Sequence, residues 1–127
     1  MRVFKTKIFA RYARKERIAD ESICEAVDRA ARGLIDADLG GGLIKQRIAR
    51  PGQGRSGGFR VIVLWRRKDR SIFLHGFAKN ERDNIDGRDL GDLKDLAAMF
   101  LGYSSAKLDR AVVEGELLEV NCRVEEN

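Results

Sequence analysis

Histidine and cysteine are scarce in this chain, and their scarcity excludes the common metal sites. The 127 residues hold one histidine, His75, and two cysteines, Cys24 and Cys122, which lie far apart and form no CxxC pair. A zinc site of ordinary spacing needs four such ligands in short clusters, so none can be written. We expect no metal and no cofactor, and we expect both cysteines to be reduced thiols.

Long apolar runs are also missing. No run approaches the roughly 18–20 residues that a membrane-spanning helix requires, and Met1–Lys5 leads directly into strand-like sequence with no secretory pattern. These two features predict a cytoplasmic protein that does not contact a membrane.

Positive charge exceeds negative charge and is unevenly distributed. The chain has 25 Lys and Arg against 20 Asp and Glu, which gives a net charge of +5. Basic residues concentrate in segments 1–17 and 43–70, each of which contains a single acid, Glu16 and Asp69 respectively. Segregated charge of this kind indicates a basic face and an acidic partner, either nucleic acid or protein.

The hydrophobic pattern predicts one α+β domain over residues 1–127, in the order β-α-α-β-β-β-α-(α)-β. We expect a small, mostly antiparallel sheet with two N-terminal helices and a C-terminal helix packed on it. Two strongly apolar strands, Phe59–Arg66 and Ser71–Lys79, read as its central hairpin. The other expected elements are a strand at Val3–Phe4, helices from Thr6 and from Asp20–Ser22, a strand at Leu43–Ala49, a helix capped by Asp89 or Asp92, a helix at Ser105–Glu114 and a strand at Leu117–Cys122.

Local signals refine these boundaries. Thr6 is the expected N-cap of the first helix, and Ser22 with Glu25 predicts a capping box in the second. The same helix is expected to turn Arg29 toward water. Three consecutive glycines, Gly40–Gly42, are expected to end the helical part of the chain.

A glycine-rich stretch, Pro51–Gly58, precedes the hairpin. It lacks the spacing of a P-loop, and no helix follows it, so neither a nucleotide-binding nor a dinucleotide-binding loop fits. Two interpretations stay open. The stretch is a plain flexible connection, or it is a basic loop whose Arg50 and Arg55 approach a phosphate backbone.

Four cations on three consecutive strands form the candidate site. Lys45 and Arg47 share one face of their strand, Arg60 opens the next strand and Lys79 closes the third. If the strands pair in order, these side chains can converge and stabilise negative charge during phosphoryl chemistry. Taken singly, each could equally be a solvated charge at a strand end.

Two further side chains have alternative interpretations. Imidazole as a side-chain type titrates near neutral pH, so His75 could act as a general base, but a histidine among phenylalanines is more often a packed residue. Tyr103 could stack on a nucleobase or pack in the core.

The motifs Ser56-Gly57-Gly58-Phe59-Arg60 and Phe77-Ala78-Lys79-Asn80-Glu81 resemble the RelE/ParE superfamily of type II toxins, in its RelE/HigB-like branch. The resemblance implies a toxin that cleaves mRNA on the ribosome as a metal-independent endoribonuclease (an mRNA interferase). It also implies a cognate antitoxin. Arg60 and Lys79 match by motif, whereas Lys45 and Arg47 match only by strand position.

Some points stay open after the resemblance. The proton acceptor could be Lys79, Lys45 or His75. The C-terminal extension, 104–127, is longer than in compact members, and no role is carried over to it. A ParE-like toxin that poisons DNA gyrase, or an inactive nucleic-acid-binding relative, are the alternative functions.

Overall fold

The computed structural model describes residues 1–50, 58–79 and 85–122. These residues form six strands and four helices. Their bounds are β1 (Arg2–Thr6), α1 (Lys7–Glu16), α2 (Asp20–Ala31), β2 (Ala37–Gly40), β3 (Leu43–Ile48), β4 (Phe59–Arg66), β5 (Arg70–Ala78), α3 (Gly87–Leu101), α4 (Ser105–Val113) and β6 (Leu117–Val120).

The strands form one mixed sheet in the order β2-β3-β4-β5-β1-β6. The expected pairing of β3, β4 and β5 in chain order is confirmed. The prediction of a mostly antiparallel sheet is corrected to a mixed one, because β1 pairs parallel with β5. Parallel neighbours need a long connection, and the whole segment from α1 to β4 lies between these two strands. A local pattern of apolar residues carries no information about such a distant pairing.

Helices cover both faces of the sheet. On one face, α1 and α2 bury Phe9, Ile18 and Ile23 against the sheet. On the other, α3 and α4 bury Phe100 and Leu108. The central strand β4 is therefore enclosed from both sides, and its residues from Phe59 to Leu64 are buried. This explains its nearly continuous apolar sequence, as expected for a central strand.

Strand β2 was not expected from the sequence. The glycines thought only to end a helix instead form the β2–β3 turn, with positive φ values of 80° at Gly40, 64° at Gly41 and 84° at Gly42. Side chains rarely adopt this left-handed region, whereas glycine does so without steric cost. The helical part ends earlier, at Ala31.

The predicted N-terminal cap is confirmed for one helix and differs from the observed cap for two others. The Oγ1 atom of Thr6 accepts a hydrogen bond from the Phe9 N–H at 3.1 Å, so the predicted cap of α1 is confirmed. The capping box predicted for α2 is wrong, because Ser22 lies inside a helix whose N-cap is Ala19. Asp86, rather than Asp89 or Asp92, caps α3.

A disulfide joins Cys24 of α2 to Cys122, which follows β6. The expectation of two reduced thiols is therefore wrong. Pairing of β6 with β1 carries the chain back beside α2 and places the two Cα atoms 5.4 Å apart. This proximity depends on the long-range strand order, which the spacing of the two cysteines in the sequence does not reveal.

The helices do not indicate a membrane span. Within the three described segments, none is long and apolar enough to cross a bilayer.

Arg70 anchors the end of α3, and its loss should destabilise the fold. Its guanidinium is 5% exposed and donates to the carbonyls of Phe100 at 2.9 Å and Tyr103 at 2.6 Å. We expect Arg70→Met to lower the free energy of unfolding by about 3 kcal/mol, since two buried carbonyls lose a charged donor. Urea denaturation measures this, with the exposed Arg67→Gln as control. Equal stability of both variants would contradict the anchoring role.

Candidate nucleic-acid interface

Strand register places three of the predicted cations on one face of the sheet. Arg47 of β3 lies directly opposite Arg60 of β4, and Lys45 lies opposite Ile62. Residues opposite one another across an antiparallel pair project to the same side. Ile62 packs in the cluster formed with α3 and α4, so this is the side of the sheet that those helices partly cover.

Lys79 joins the same side from β5. It follows Phe77, the cross-strand partner of Arg60, by two residues, and alternation along a strand returns to the same face every second residue. Its backbone N–H donates to the Gly58 carbonyl at 3.1 Å, which continues the β4–β5 pairing to this point. We call Lys45, Arg47, Arg60 and Lys79 the cationic face.

The four members differ in exposure. Arg60 is only 5% exposed, whereas the side chain of Arg47 is 47% exposed and Lys79 lies on the surface. One guanidinium N–H of Arg60 reaches the Phe59 carbonyl at 3.4 Å. Arginine does not lose its proton in proteins, so Arg60 holds a permanent charge where water screens it poorly. Arg47 and Lys79 are nearer to a ligand arriving from solvent, and Lys45 lies between the two cases with 16% of its side chain exposed.

Arg47 and Arg60 carry like charges at directly opposite positions of β3 and β4. Like charges directly opposite on one face of a sheet repel each other. Asp36 offsets part of this repulsion, because its carboxylate accepts from the Nε of Arg47 at 2.8 Å and lies 3.7 Å from the Nζ of Lys45. Sequence reasoning missed Asp36. Its proximity to β3 follows from the β2–β3 pairing, which was not predicted.

Buried hydrogen bonds hold β3 in place behind the cationic face. The side-chain amide of Gln46 donates to the carbonyls of Ala26 at 3.0 Å and Leu34 at 3.2 Å. Its oxygen accepts from the Asp36 N–H at 3.0 Å. Arg29 donates to the carbonyl of Arg47 and pairs with a glutamate one turn earlier, so the expectation that it faces water is wrong. These contacts fix the strand that carries Lys45 and Arg47.

The structure does not bring Arg50 to the cationic face. Its guanidinium pairs with Glu16 at 3.4 Å and lies 5.1 Å from the ring centre of Phe59, which belongs to the cluster on the α1 and α2 side. Arg55 and the glycine stretch at 51–57 lie outside the described residues. The predicted RNA contacts at Arg50 and Arg55 therefore gain no support from the geometry.

His75 lines a groove and Tyr103 packs against α3, and neither is a member of the cationic face. His75 is half-buried opposite Ile62, 6.0 Å from the ring of Phe77, and lines a groove of about 700 Å³ together with residues of α1 and α3. Tyr103 packs edge-on against Phe100 and donates to Glu116 at 2.7 Å. That hydrogen bond, together with burial, raises the pKa of the Tyr103 phenol. Tyr103 is thus a packed residue, as one of its two interpretations held.

The fold and the cationic face define a small α+β protein with fixed positive charge at one end of its central strands, which suits a polyanionic ligand. The family described as RelE toxin of the RelE/RelB toxin–antitoxin system matches residues 1–120. The chain therefore belongs to the RelE toxin family, and the resemblance inferred from its motifs is confirmed. No curated protein matches the chain. Family membership makes the protein a toxin of a toxin–antitoxin system and implies a cognate antitoxin.

Asp36 offers a test of whether the cations need to be held in place. Asp36→Asn should reduce stability by about 1 kcal/mol or less, because Arg47 is half exposed and the pair is screened by water. If Asp36 positions the cations for a reaction, the variant should lower kcat while KM falls or stays constant. Steady-state kinetics measures this split, with exposed Asp38→Asn as the control of equal charge. A rise in KM alone would contradict the positioning role.

Proposed function

We propose that the protein is an mRNA endoribonuclease that acts on the ribosome and thereby inhibits translation. The observation that carries the proposal is the cross-strand pairing of Arg47 with Arg60, flanked by Lys45 and Lys79 on the same face. Four cations on one face of the sheet, two of them directly opposite each other, form a site whose charge complements a phosphate group.

The proposed reaction uses the RNA's own 2′-hydroxyl as the nucleophile. Its oxygen bonds to the adjacent phosphorus, the bond from phosphorus to the 5′-oxygen breaks, and a 2′,3′-cyclic phosphate and a free 5′-hydroxyl result. The 2′-hydroxyl proton goes to a base, and the leaving oxygen takes a proton from an acid. Negative charge grows on the non-bridging oxygens between these steps, and fixed cations stabilise it.

The exposures of the cations suggest different roles in this reaction. Arg60, buried and permanently charged, is suited to stabilise the transition state, because it needs no reorganisation as charge develops. Arg47, half exposed, is suited to hold the incoming phosphate with two parallel donors. Lys79 and Lys45 orient the strand or transfer protons. His75 stays a third candidate for the base, from its position opposite Ile62.

The proposed setting is the cytoplasm, where ribosomes and messages meet. Thiols are kept reduced there, so the protein should be tested both with and without its disulfide. Because the nucleophile belongs to the substrate, the proposed step calls for no metal-activated water.

In-vitro translation followed by primer extension tests the proposal. Wild-type protein should produce new 5′ ends within translated messages, and Arg60→Ala should abolish them. Because Arg60 is buried, circular dichroism and urea denaturation must first show that this variant is folded. Identical, uncut profiles for wild type and variant would refute the nuclease. Inhibition of DNA gyrase supercoiling without RNA cleavage would instead support a ParE-like poison, and absence of growth arrest on induction would indicate an inactive relative.

A further inference from the structure

The disulfide between Cys24 and Cys122 ties the last strand of the sheet to α2, and the proposed reaction does not use it. Both residues are half-buried and lie at the margin of the core cluster that packs under α1 and α2, rather than inside it. The chain has no third cysteine. Exchange with an external thiol therefore cannot move the bond elsewhere in the chain, and oxidation within one molecule restores the same pairing.

A surface cleft gives access to this bond. The cleft has a volume of about 430 Å³ and is lined by Asp20, Glu21, Cys24 and Asn121. Three of these four residues are exposed, and Cys24 forms part of the wall. Thiol–disulfide exchange begins when a thiolate reaches one of the two sulfurs, so its rate depends on access. The position of the cleft favours direct attack on the folded protein over attack that must wait for unfolding.

Breaking the bond affects a short part of the chain. Among the described strands, β6 lies at one edge of the sheet and pairs with β1. Its buried residues are Leu117 and Val120, and the ion pair of Glu119 with Arg2 is about a third exposed to water. Surface ion pairs add little to stability. With the disulfide in place β6 is fixed at both ends, whereas after reduction its C-terminal end is free to fray.

The contacts of Glu116 limit that fraying. Its side chain accepts a hydrogen bond from the Tyr103 hydroxyl at 2.7 Å, and its backbone N–H donates to the Ala111 carbonyl at 2.8 Å. Both partners belong to the segment from α3 to α4, and neither contact involves the disulfide. Reduction can therefore release residues 117–122, while the pairing of β3, β4 and β5 stays in place.

We propose that the disulfide of Cys24 and Cys122 is a reversible redox switch that exchanges with a dithiol in the folded protein and sets whether the end of β6 is tied to α2 or free. A thiolate of the dithiol attacks one sulfur, the protein S–S bond breaks, and a mixed disulfide and a protein thiolate form. The second thiolate of the dithiol then attacks the mixed disulfide and releases the other protein sulfur. The dithiol loses two electrons and two protons, and the protein gains them as two thiols.

The switch couples the stability of the toxin to the redox state of its surroundings. The bond restricts the unfolded chain, so the oxidised form resists unfolding better than the reduced form. In a reducing compartment the end of β6 is free, and a rise in oxidants ties it down. This inference does not rest on RNA cleavage, and its tests are read without it.

Reduction of the oxidised full chain by dithiothreitol, at urea concentrations below the unfolding transition, tests access to the bond. The rate should be linear in dithiothreitol and change by less than about 2-fold per molar urea, because attack on the folded protein exposes little new surface. A bond reached only through global unfolding would instead be reduced at least about 5-fold faster per molar urea, as the unfolding equilibrium shifts. That result would overturn the proposal.

A charge variant tests whether the attack comes through the cleft. Glu21→Gln removes a negative charge there, so attack by a thiolate should be about 2-fold faster at low salt. Glu114→Gln is the matched control, because Glu114 is also exposed and lies outside the cleft, and it should leave the rate unchanged. Equal rates for the two variants would contradict attack at this cleft.

Hydrogen exchange followed by mass spectrometry tests the release of β6. At labelling times at which β4 stays protected, the amides of residues 117–122 should exchange at least about 10-fold faster in the reduced protein than in the oxidised one, since a frayed end opens more readily than the whole fold. Cys24→Ser/Cys122→Ser should match the reduced protein with or without dithiothreitol, and re-oxidation of wild type with oxidised glutathione should restore slow exchange. Equal exchange in both redox states, or exchange of β6 only together with β4, would overturn the switch.

Discussion

Replacing Gly58 with alanine is expected to lower the free energy of unfolding by about 3 kcal/mol or more. A Cβ atom at this position would lie 2.2 Å from the carbonyl oxygen of Ile48 and 2.9 Å from the backbone nitrogen of Arg50. Both neighbours are backbone atoms, so no side-chain rotation can relieve the overlap. The ends of β3 and β4 would have to separate.

The same variant should also abolish activity, because Gly58 organises the site. Its carbonyl accepts the Lys79 N–H at 3.1 Å, and it lies next to the strand pairing that sets Arg47 opposite Arg60. Urea denaturation measures the stability, and message cleavage measures the activity. Gly91→Ala is the matched control. An added Cβ there meets nothing within 4 Å, and alanine inside α3 should stabilise the protein by about 0.5–1 kcal/mol. A Gly58→Ala protein as stable as wild type would show that the close backbone approach is wrong.

Removing the disulfide should be the second large effect. Cys24 and Cys122 are separated by 98 residues, and closing a loop of that size restricts the unfolded chain by an amount worth about 4.7 kcal/mol in the chain-entropy account. The double variant Cys24→Ser/Cys122→Ser should therefore unfold at lower urea, with β6 and the end of the chain no longer tied to α2.

Urea denaturation of wild type and the double variant, each with and without a dithiol reductant, isolates this contribution. Reductant should shift the wild-type midpoint to that of the variant and leave the variant unchanged. The hydrogen bonds from Arg29 to β3 and from Gln46 to α2 do not depend on the disulfide, so cleavage at low temperature should survive reduction. A wild-type midpoint that does not respond to reductant would contradict a stabilising disulfide.

Local patterns predicted the parts of the fold that depend on neighbours in sequence. The hairpin of β4 and β5 is continuous in apolar and β-branched residues and joins through a short charged turn, so its pairing could be inferred. The alternation in β3 correctly placed Ile44, Gln46 and Ile48 on the buried side. Pairing of β3, β4 and β5 in order brings the three cationic strand ends together, and the register found in the structure sets Arg47 opposite Arg60.

Features that depend on distant contacts could not be inferred in this way. The parallel partner of β1 and the position of β6 are set by the whole sheet, and the disulfide follows from both. The sequence predicts Arg60 at the start of a strand, and the structure adds that its side chain is buried within the cationic face. Charged residues are seldom buried, so residue type alone predicts that Arg60 is exposed. Asp36 precedes β2, a short strand whose residues have weak propensity for strand formation and which two glycines follow in the turn. The strand could not be predicted, and neither could the position of Asp36 beside β3.

The rate of message cleavage by Arg47→Gln on translating ribosomes tests the central claim most directly. Arg47 is half exposed, and Lys45 stays 3.7 Å from the Asp36 carboxylate when Arg47 is replaced. Arg67→Gln in the β4–β5 turn removes the same charge outside the cationic face. The account predicts that Arg47→Gln lowers the cleavage rate by about 100-fold or more, the size expected when a donor to developing charge is removed. Arg67→Gln should lower the rate by less than about 3-fold, because its charge is distant and screened. Equal rates for the two variants would contradict the assignment of the cationic face as the site of RNA cleavage.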